Sequence, residues 1–327
     1  MPLDLNYDEI SSKFDRLVAD GIVFYKPSTL IPLTHRGMTV RPPQSPPTPP
    51  HFLILPPPPF QFSFHIIEGH KTKPQEGDPV AATKAAQAAA SNPAPCFGPG
   101  SDIANDHPDI CITTVNGTHL LTMNKFPVFR PMLLLLTVDS YRRQHEPLAR
   151  ADLDAGWSVI DALRAEHYVF YNCTFRAGAS RQHKHLQIVP APGASEEYAA
   201  GYRFFPDYEG VGPGAEWRAP FTYFLVRWEG ARLDADFLLE KYLGLLQKAR
   251  VALGVAVEEQ EIPHNFVLTK RWMMVIPRRA KVSHGLTANS AGMLGSMYII
   301  SQEQLDAWKE AGPTNVLAGL GIADEEF

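Results

Sequence analysis

The chain has 327 residues, of which 45% are hydrophobic and 20% charged, so it is long enough for two ordinary domains or for one large domain with an insertion. Its formal net charge of −5 and its lack of a clustered Lys/Arg run exclude general binding to a nucleic-acid backbone, although a few placed cations could hold a small anion. The three cysteines have no C-x-x-C spacing, the apolar runs are too short to span a bilayer, and the polar N-terminus has no secretory signal. We therefore expect a location in the cytoplasm, with the nucleus as an additional compartment.

The first predicted element is a helix over residues 7–19. Ile10, Phe14 and Leu17 recur at helical spacing, and Asn6 with Glu9 resembles a capping box. The composition then changes, because ten prolines lie between Pro42 and Pro59 and proline can neither continue a helix nor donate to a β-ladder. We interpret residues 37–59 as a disordered insert. The alternative is a polyproline ligand for a partner protein, which we do not expect.

Strands dominate the next part of the chain. Phe60, Phe62 and Phe64 alternate with polar residues, which predicts a half-buried strand. Residues 79–95 indicate a flexible or partly helical crossing segment. Asn116-Gly117 lies between two strand-like runs and predicts a hairpin, because both positions tolerate a positive φ. Further strands are predicted at 132–137, 167–172 and 184–190, with a helix that contains Leu153, Trp157, Ile160 and Leu163.

A second half is predicted after the Gly/Pro/acidic stretch at 193–219. Its elements are strands at 221–228, 265–269 and 273–276, a helix from Leu238 to Ala249 that ends before Gly254, and a late helix capped by Ser301 and Gln304. His119–Lys125 is similar to Asn265–Lys270, which suggests two diverged halves, residues 1–192 and 215–327. The pattern predicts an α+β fold with a mainly antiparallel sheet and flanking helices.

The residues with the clearest chemical potential form the run His183-Lys184-His185-Leu186-Gln187. On a strand, His183, His185 and Gln187 share one face, while Leu186 faces the opposite side and can pack in the core. An imidazole can attack a phosphorus atom and later leave, which divides a difficult transfer into two displacements. The preceding Gly178-Ala179-Ser180 has room for phosphate oxygens near backbone N–H groups.

Rival interpretations of the two histidines are weaker. They could be metal ligands, but no cysteine lies close in the sequence and glutamine is a poor zinc ligand, so we expect no protein-bound metal. They could also be incidental strand histidines. A serine hydrolase would need a nucleophile elbow, and the chain contains no G-x-S-x-G motif.

The run from Asn172 through Gly178-Ala179-Ser180 to the His-x-His-x-Gln block resembles the histidine-triad superfamily in its transferase branch. Within that branch it is most similar to the fungal diadenosine tetraphosphate phosphorylases, also called ATP adenylyltransferases. Galactose-1-phosphate uridylyltransferases are more distant. The resemblance extends over most of the chain, through Thr122–Pro127, Leu268–Arg278 and Asn289–Gly295. It implies a histidine-triad-like fold, with residues 215–327 as the ATP adenylyltransferase-like half.

Carried over position by position, the resemblance implies that His185 becomes adenylylated and that His183 orients it. Gln187 and Asn172 would bind the α-phosphate and ribose side, and Lys73 would neutralise the polyphosphate, with Lys125 and Lys270 as weaker candidates. The remaining implied contacts are with the phosphates, by Gly178, Ala179, Ser180 and Arg181, and with the nucleotide, by Asn289, Ser290, Ala291 and Ser296.

The chain departs from the family pattern at several positions. The Pro42–Pro59 run is usually absent, and Ala177 replaces a serine that often precedes Gly-Ala-Ser. Ser296 and Ile300 stand where the family often has Met and Lys. These departures weaken one implied phosphate contact and the contacts implied for the second half.

The resemblance implies phosphorolysis of diadenosine tetraphosphate to ATP and ADP through an adenylyl-histidine. Gln187, in place of the third histidine of the hydrolase branch, favours transfer to phosphate. A divalent cation, Mg²⁺, would accompany the polyphosphate, with no tightly bound cofactor. The expected partners are the dinucleotide and inorganic phosphate, with no nucleic acid and no membrane. Two alternatives stay open, namely uridylyl transfer between sugar phosphates and a catalytically silent nucleotide-binding protein that recruits partners through its Pro-rich segment.

Overall fold

The computed structural model describes residues 3–34, 60–67, 97–103, 107–198, 200–208, 219–229 and 233–324. The predicted insert at 37–59, the predicted crossing segment at 79–95 and Lys73 lie outside these residues. The helices are α1 (Tyr7–Ala19), α2 (Arg150–Ala162), α3 (Ala235–Leu253), α4 (Ser290–Met293), α5 (Gln302–Ala311) and α6 (Pro313–Leu320). The strands are β1 (Thr29–Thr34), β2 (Gln61–Ile66), β3 (Cys111–Val115), β4 (His119–Met123), β5 (Leu133–Thr137), β6 (His167–Cys173), β7 (His185–Pro190), β8 (Phe224–Arg227), β9 (His264–Leu268), β10 (Trp272–Pro277) and β11 (Ser296–Ile299).

An eight-stranded antiparallel sheet forms the centre of the fold, in the order β3-β4-β5-β7-β6-β9-β10-β8. Five strands come from the first half of the chain and three from the second. The halves join where β6 pairs with β9, from Val169 opposite Leu268 to Cys173 opposite His264. The predicted α+β class with a mainly antiparallel sheet is therefore confirmed. The division at 1–192 and 215–327 stays a prediction.

Apolar residues cover both faces of this sheet. On one face, Leu186 and Ile188 of β7 pack with buried residues of α1, α2 and α3, such as Phe14, Val159 and Leu238. The other face packs against a three-stranded sheet, β1-β2-β11, and against α5 and α6. A strand buried on both faces cannot move without disturbing two cores, so β7 is a rigid support for its side chains. Among the described residues, no helix is long and apolar enough to cross a membrane.

Local signals in the sequence set several element boundaries. The side chain of Asn6 accepts hydrogen bonds from the backbone N–H groups of Asp8 and Glu9 at the start of α1. Asn116 and Gly117 have φ values of 51° and 69° between β3 and β4, as the hairpin prediction requires. Ser301 caps α5 by accepting from the N–H of Gln304. These predictions are confirmed.

The prediction of a half-buried strand at Phe60–Ile66 is wrong in one respect. The polar positions Ser63 and His65 of β2 are as fully buried as the phenylalanines. The His65 ring stacks on Tyr298 of β11, with ring centroids 4.5 Å apart. A period of two shows that the faces differ in polarity, but it cannot show that a partner sheet covers the polar face as well.

Candidate active site

A cavity of about 250 Å³ opens beside β7, and His185 and Gln187 contribute to its wall. Its other polar residues come from the turn after β4 and from the loop before β7. Because the lining combines apolar side chains with two cationic ones, Lys125 and Arg181, the cavity suits a ligand with an apolar part and an anionic part. The lining residues are Phe97, Ile103, Ile110, Met123, Asn124, Lys125, Phe126, Leu134, Ser180, Arg181, His185 and Gln187.

Hydrogen bonding fixes the tautomer of His185. Its Nδ1 lies 2.8 Å from the backbone oxygen of His183. A carbonyl oxygen can only accept, so Nδ1 carries a proton, and in the neutral ring Nε2 keeps its lone pair. The side chain is buried except for a small exposed fraction of 6%. His185 therefore presents an unprotonated nitrogen from a rigid strand, which is what a nucleophile requires.

Gln144 holds the backbone of His185. The paired residues of β6 and β7 end at Phe170 opposite Gln187, and the two strands diverge beyond this point. Gln144 Oε1 accepts from the N–H of His185 at 2.8 Å, and Gln144 Nε2 donates to the carbonyl oxygens of His185 at 3.0 Å and Asn172 at 3.2 Å. The carboxamide replaces the missing ladder bonds, so the gap between the strands is held open at a fixed width.

His183 does not line the cavity. Its ring is fully buried, with Nε2 donating to the carbonyl oxygen of Thr137 at 3.0 Å and Nδ1 accepting from the Ser101 hydroxyl at 2.8 Å. Burial lowers the pKa of His183, so the ring is neutral at neutral pH. Its backbone N–H also donates to Asp102 Oδ1 at 2.8 Å. His183 thus orients His185 through its own carbonyl and anchors the segment that carries Phe97 and Ile103.

The loop before β7 brings two predicted residues to the cavity. Ser180 and Arg181 line it, whereas Ala179 is buried and its N–H donates to the carbonyl oxygen of Thr174. Gly178 has a φ of 91° and lies against residues 288–289 of the second half. The loop therefore requires glycine at position 178, because only glycine fits both the positive φ and the close contact.

We expect Gly178→Ala to lower the free energy of unfolding by roughly 2–4 kcal/mol, from backbone strain at positive φ and from overpacking. An added Cβ would lie 3.1 Å from Asn289 Cα. Gly193→Ala is the matched control, because Gly193 has a φ of 86° with nothing within 4 Å of the added carbon. Urea denaturation should show that the control lowers the free energy of unfolding by about 1–2 kcal/mol. Equal losses in the two variants would contradict the role of the contact with Asn289.

Asn172 and Ser290 form a buried link between the halves of the chain. Asn172 Oδ1 accepts from Asn265 Nδ2 at 2.9 Å, from the N–H of Ser290 at 2.9 Å and from Ser290 Oγ at 2.7 Å. Neither residue is among those lining the cavity. Their hydrogen bonds join β6, β9 and α4, and the contact of Asn172 with the substrate stays a prediction.

The other residues predicted to contact nucleotide from the second half also lie apart from the cavity lining. Asn289 caps α4, with its Oδ1 accepting from the N–H of Gly292 at 3.0 Å. Ala291 is 1% exposed, and Ser296 Oγ lies 3.3 Å from His65 Nε2 in the smaller sheet. The side chains of Ser290, Ala291 and Ser296 are buried, so their contact with nucleotide stays a prediction.

The structure separates the two lysines that the sequence left as weaker candidates. Lys125 lines the cavity, with its Nζ 5.7 Å from the centroid of the Phe24 ring. Lys270 donates to the carbonyl oxygen of Leu163 at 3.0 Å and is not part of the lining. Within the described ranges, no three His, Cys, Asp or Glu side chains are grouped so that they could hold a metal ion.

Sequence reasoning missed Gln144 and most of the apolar cavity wall. Gln144 lies in the irregular segment between β5 and α2, where no periodic pattern marks it. Asn124 and Phe126 stand within the Thr122–Pro127 segment of the resemblance, which was the only available signal for them. Phe97 and Ile103 carry no sequence signal, because their contact with β7 depends on tertiary packing.

Comparisons with known proteins show which families the two parts of the chain match. Residues 65–200 match the Ap4A phosphorylase N-terminal domain, and residues 218–323 match the ATP adenylyltransferase C-terminal domain. Diadenosine 5′,5‴-P1,P4-tetraphosphate phosphorylase 2 of Saccharomyces cerevisiae is 28% identical over 212 residues, which are 58% of this chain and 65% of the relative. Protein APA1 of the same yeast is 29% identical over 204 residues, or 58% of this chain and 63% of the relative. The chain thus spans slightly less than two thirds of the length of these two relatives.

The fold is also similar to a solved structure. The crystal structure of yeast Ap4A phosphorylase Apa2 in complex with Ap4A superposes with a TM-score of 0.69 and 22% sequence identity. The match covers 99% of each chain. At this level of identity the superposition establishes the fold, and a histidine-triad-like architecture is confirmed.

Proposed function

We infer that this chain, which belongs to the Ap4A phosphorylase family, catalyses the phosphorolysis of diadenosine tetraphosphate to ATP and ADP. The observation that carries the proposal is the unprotonated Nε2 of His185, held by the carbonyl of His183 at the wall of a cavity that also contains Gln187 and Arg181. The matches to both family domains, in their order along the chain, supply the identity of the substrate. They do not favour uridylyl transfer or a catalytically silent binding protein.

In the first step, His185 Nε2 attacks the phosphorus atom next to one adenosine. The Nε2–P bond forms, the bond from that phosphorus to the bridging oxygen breaks, and the electron pair leaves with ATP. The positive charge that develops on the imidazole is stabilised by the Nδ1–H hydrogen bond to the His183 carbonyl. The proposed roles of Gln187, Ser180 and Arg181 are to bind the oxygens of this phosphate as its charge shifts.

In the second step, inorganic phosphate attacks the adenylyl phosphorus. A phosphate oxygen bonds to phosphorus, the Nε2–P bond breaks, and ADP leaves while His185 recovers its lone pair. The proposed reason that phosphate is used in place of water is Gln187. A carboxamide cannot take up a proton from an attacking water as a third imidazole could. Lys125 and Arg181 give the incoming anion a positive field.

Mg²⁺ is the proposed companion of the polyphosphate, without a protein-bound cofactor. Mg²⁺ would supply positive charge to the phosphates, because it usually binds through substrate oxygens and a few waters. A cytoplasmic and nuclear location is also proposed. Among the described residues Cys111 and Cys173 form no disulfide, which is consistent with a reducing compartment. Imaging of a tagged protein that placed it only in a secretory compartment would contradict that location.

The proposal is tested by a product assay with Ap4A. With phosphate and Mg²⁺ present, we expect ATP and ADP in equal amounts over many turnovers. Without phosphate, ATP should appear in an amount no greater than that of the protein, and the adenylate should stay on the chain. Removing Mg²⁺ with EDTA should slow the first step. Release of AMP in place of ADP, or full turnover without phosphate, would show that the chain is a hydrolase.

A further inference from the structure

Arg278 is a buried cation without an anionic partner in the part of the chain that the structure describes. It follows β10 and has no exposed surface. Its guanidinium donates only to neutral oxygens, and among the residues that the structure describes no carboxylate forms an ion pair with it. These acceptors are Asn265 Oδ1 at 2.5 Å and the carbonyl oxygens of Ala288 at 2.9 Å, Leu320 at 3.2 Å, Ala280 at 3.2 Å and Ala177 at 3.4 Å.

This arrangement differs from that of the other fully buried cation described here, Lys184. Lys184 has a carboxylate, Asp152 Oδ2, at 2.7 Å. Burial of an unpaired charge is costly, and desolvation lowers the pKa of Arg278 to about 9. The side chain still keeps its proton at neutral pH. Neutral side chains could make some of the same hydrogen bonds as Arg278. These hydrogen bonds therefore do not explain why a charged group is buried here.

Arg278 lies directly beneath the loop that precedes β7. Its Nη1 reaches the carbonyl oxygen of Ala177, and Asn265, which accepts from the same nitrogen, donates to that oxygen at 2.8 Å. The loop continues from Ala177 to Ser180, which lines the cavity beside His185. Three residues span at most about 11 Å. The guanidinium thus lies near the side of the cavity that contains Ser180 and Arg181.

We propose that Arg278 determines the selectivity of this loop for anionic ligands, with the phosphate of the bound nucleotide as its missing counter-charge. This inference rests on the proposed function for the identity of the anion. Two unit charges about 10 Å apart at an effective dielectric constant of about 20 attract strongly enough to change an affinity roughly tenfold. A neutral nucleoside in the same cavity gains nothing from the charge.

The test compares the affinities of AMP and adenosine, which differ by the phosphate alone. In Arg278→Gln, isothermal calorimetry should show AMP bound roughly tenfold more weakly, with adenosine within about twofold of its original affinity. The AMP/adenosine ratio is the affinity for AMP divided by the affinity for adenosine. Because both affinities are measured on the same sample, the ratio does not depend on the folded fraction. Equal weakening of both ligands, or no weakening of either, would overturn the proposal.

Lys270→Gln is the matched control. It removes one positive charge that also donates to a backbone carbonyl, at the opposite end of the β9–β10 hairpin. The AMP/adenosine ratio should stay unchanged in this variant. A similar fall of the ratio in Lys270→Gln would mean that overall net charge, and not the position of Arg278, governs the affinity, which would also overturn the proposal.

Asn265→Asp tests the same charge without removing Arg278. It places a carboxylate at the atom that now accepts from Nη1 at 2.5 Å, so it supplies the missing partner within the protein. We expect the AMP/adenosine ratio to fall as in Arg278→Gln, and an unchanged or higher ratio would contradict the proposal. These measurements need no turnover. Failure of the proposed reaction would appear in the Ap4A assay, and failure of this inference would appear only in the ratio.

Discussion

Replacing His185 with alanine should lower the rate of Ap4A phosphorolysis on the order of a thousandfold or more, because the atom that bonds to phosphorus is removed. The cavity should stay intact, since the backbone of His185 is held by Gln144 at its N–H and carbonyl groups. Incubation with labelled Ap4A without phosphate, followed by denaturation, measures the acid-labile adenylate on the chain. Wild-type protein should carry it and His185→Ala should not.

Two further histidine variants separate the attacking group from its support. His183→Gln loses ring contacts with Ser101 and Thr137 but keeps the backbone carbonyl that holds His185 Nδ1. The rate of phosphorolysis by this variant should fall by up to about a hundredfold, because the His185 ring is misplaced, but the adenylate should still form. His107→Ala, in the segment before β3, should have no effect. Adenylate on His185→Ala protein, or its loss from His183→Gln alone, would reverse the assigned roles.

The largest expected effect on stability comes from Lys184, which stands between the two histidines and faces the opposite side of β7. Its Nζ lies 2.7 Å from Asp152 Oδ2 and 2.8 Å from the carbonyl oxygen of Pro147. Asp152 Oδ1 lies 3.0 Å from His119 Nε2. Burial by itself would raise the pKa of Asp152, but the hydrogen bond from His119 and the charge of Lys184 hold it below its usual value.

Lys184→Met or Asp152→Asn should each lower the free energy of unfolding by roughly 3–5 kcal/mol, because the remaining charge stays buried without its partner. The double variant should recover part of this loss, and urea denaturation of all four proteins gives the coupling energy. Asp152 has a lowered pKa in the folded state, so its contribution is present above the unfolded pKa and is lost as the pH falls through the folded one. The penalty of Asp152→Asn should therefore shrink at acid pH.

The control for this pair is Arg150→Met. Arg150 and Asp236 form an exposed ion pair between α2 and α3, which solvent screens. Its removal should leave the unfolding transition almost unchanged. If Lys184→Met were as stable as Arg150→Met, the buried pair would not support β7, and the position of His185 would have to depend on Gln144 and the sheet alone.

The sequence by itself determined those features that depend on near neighbours along the chain. The cap at Asn6, the hairpin at Asn116-Gly117 and the core face of β7 at Leu186 and Ile188 follow from side-chain chemistry and a fixed backbone period. The His-x-His-x-Gln block belongs to the same class. A period of two places His185 and Gln187 on one face, and the structure has both at the cavity wall.

Only the tertiary structure decided which residues reach the cavity and which lie beneath it. Asn172 has the same chemistry whether it binds a ligand or another side chain, and the pairing of β6 with β9 places Asn265 opposite it. Gln144 and Arg278 act across distances in sequence that no local pattern encodes. The physical reason is that burial and partner choice depend on the arrangement of whole strands and helices, whereas conformational preference is set within a few residues.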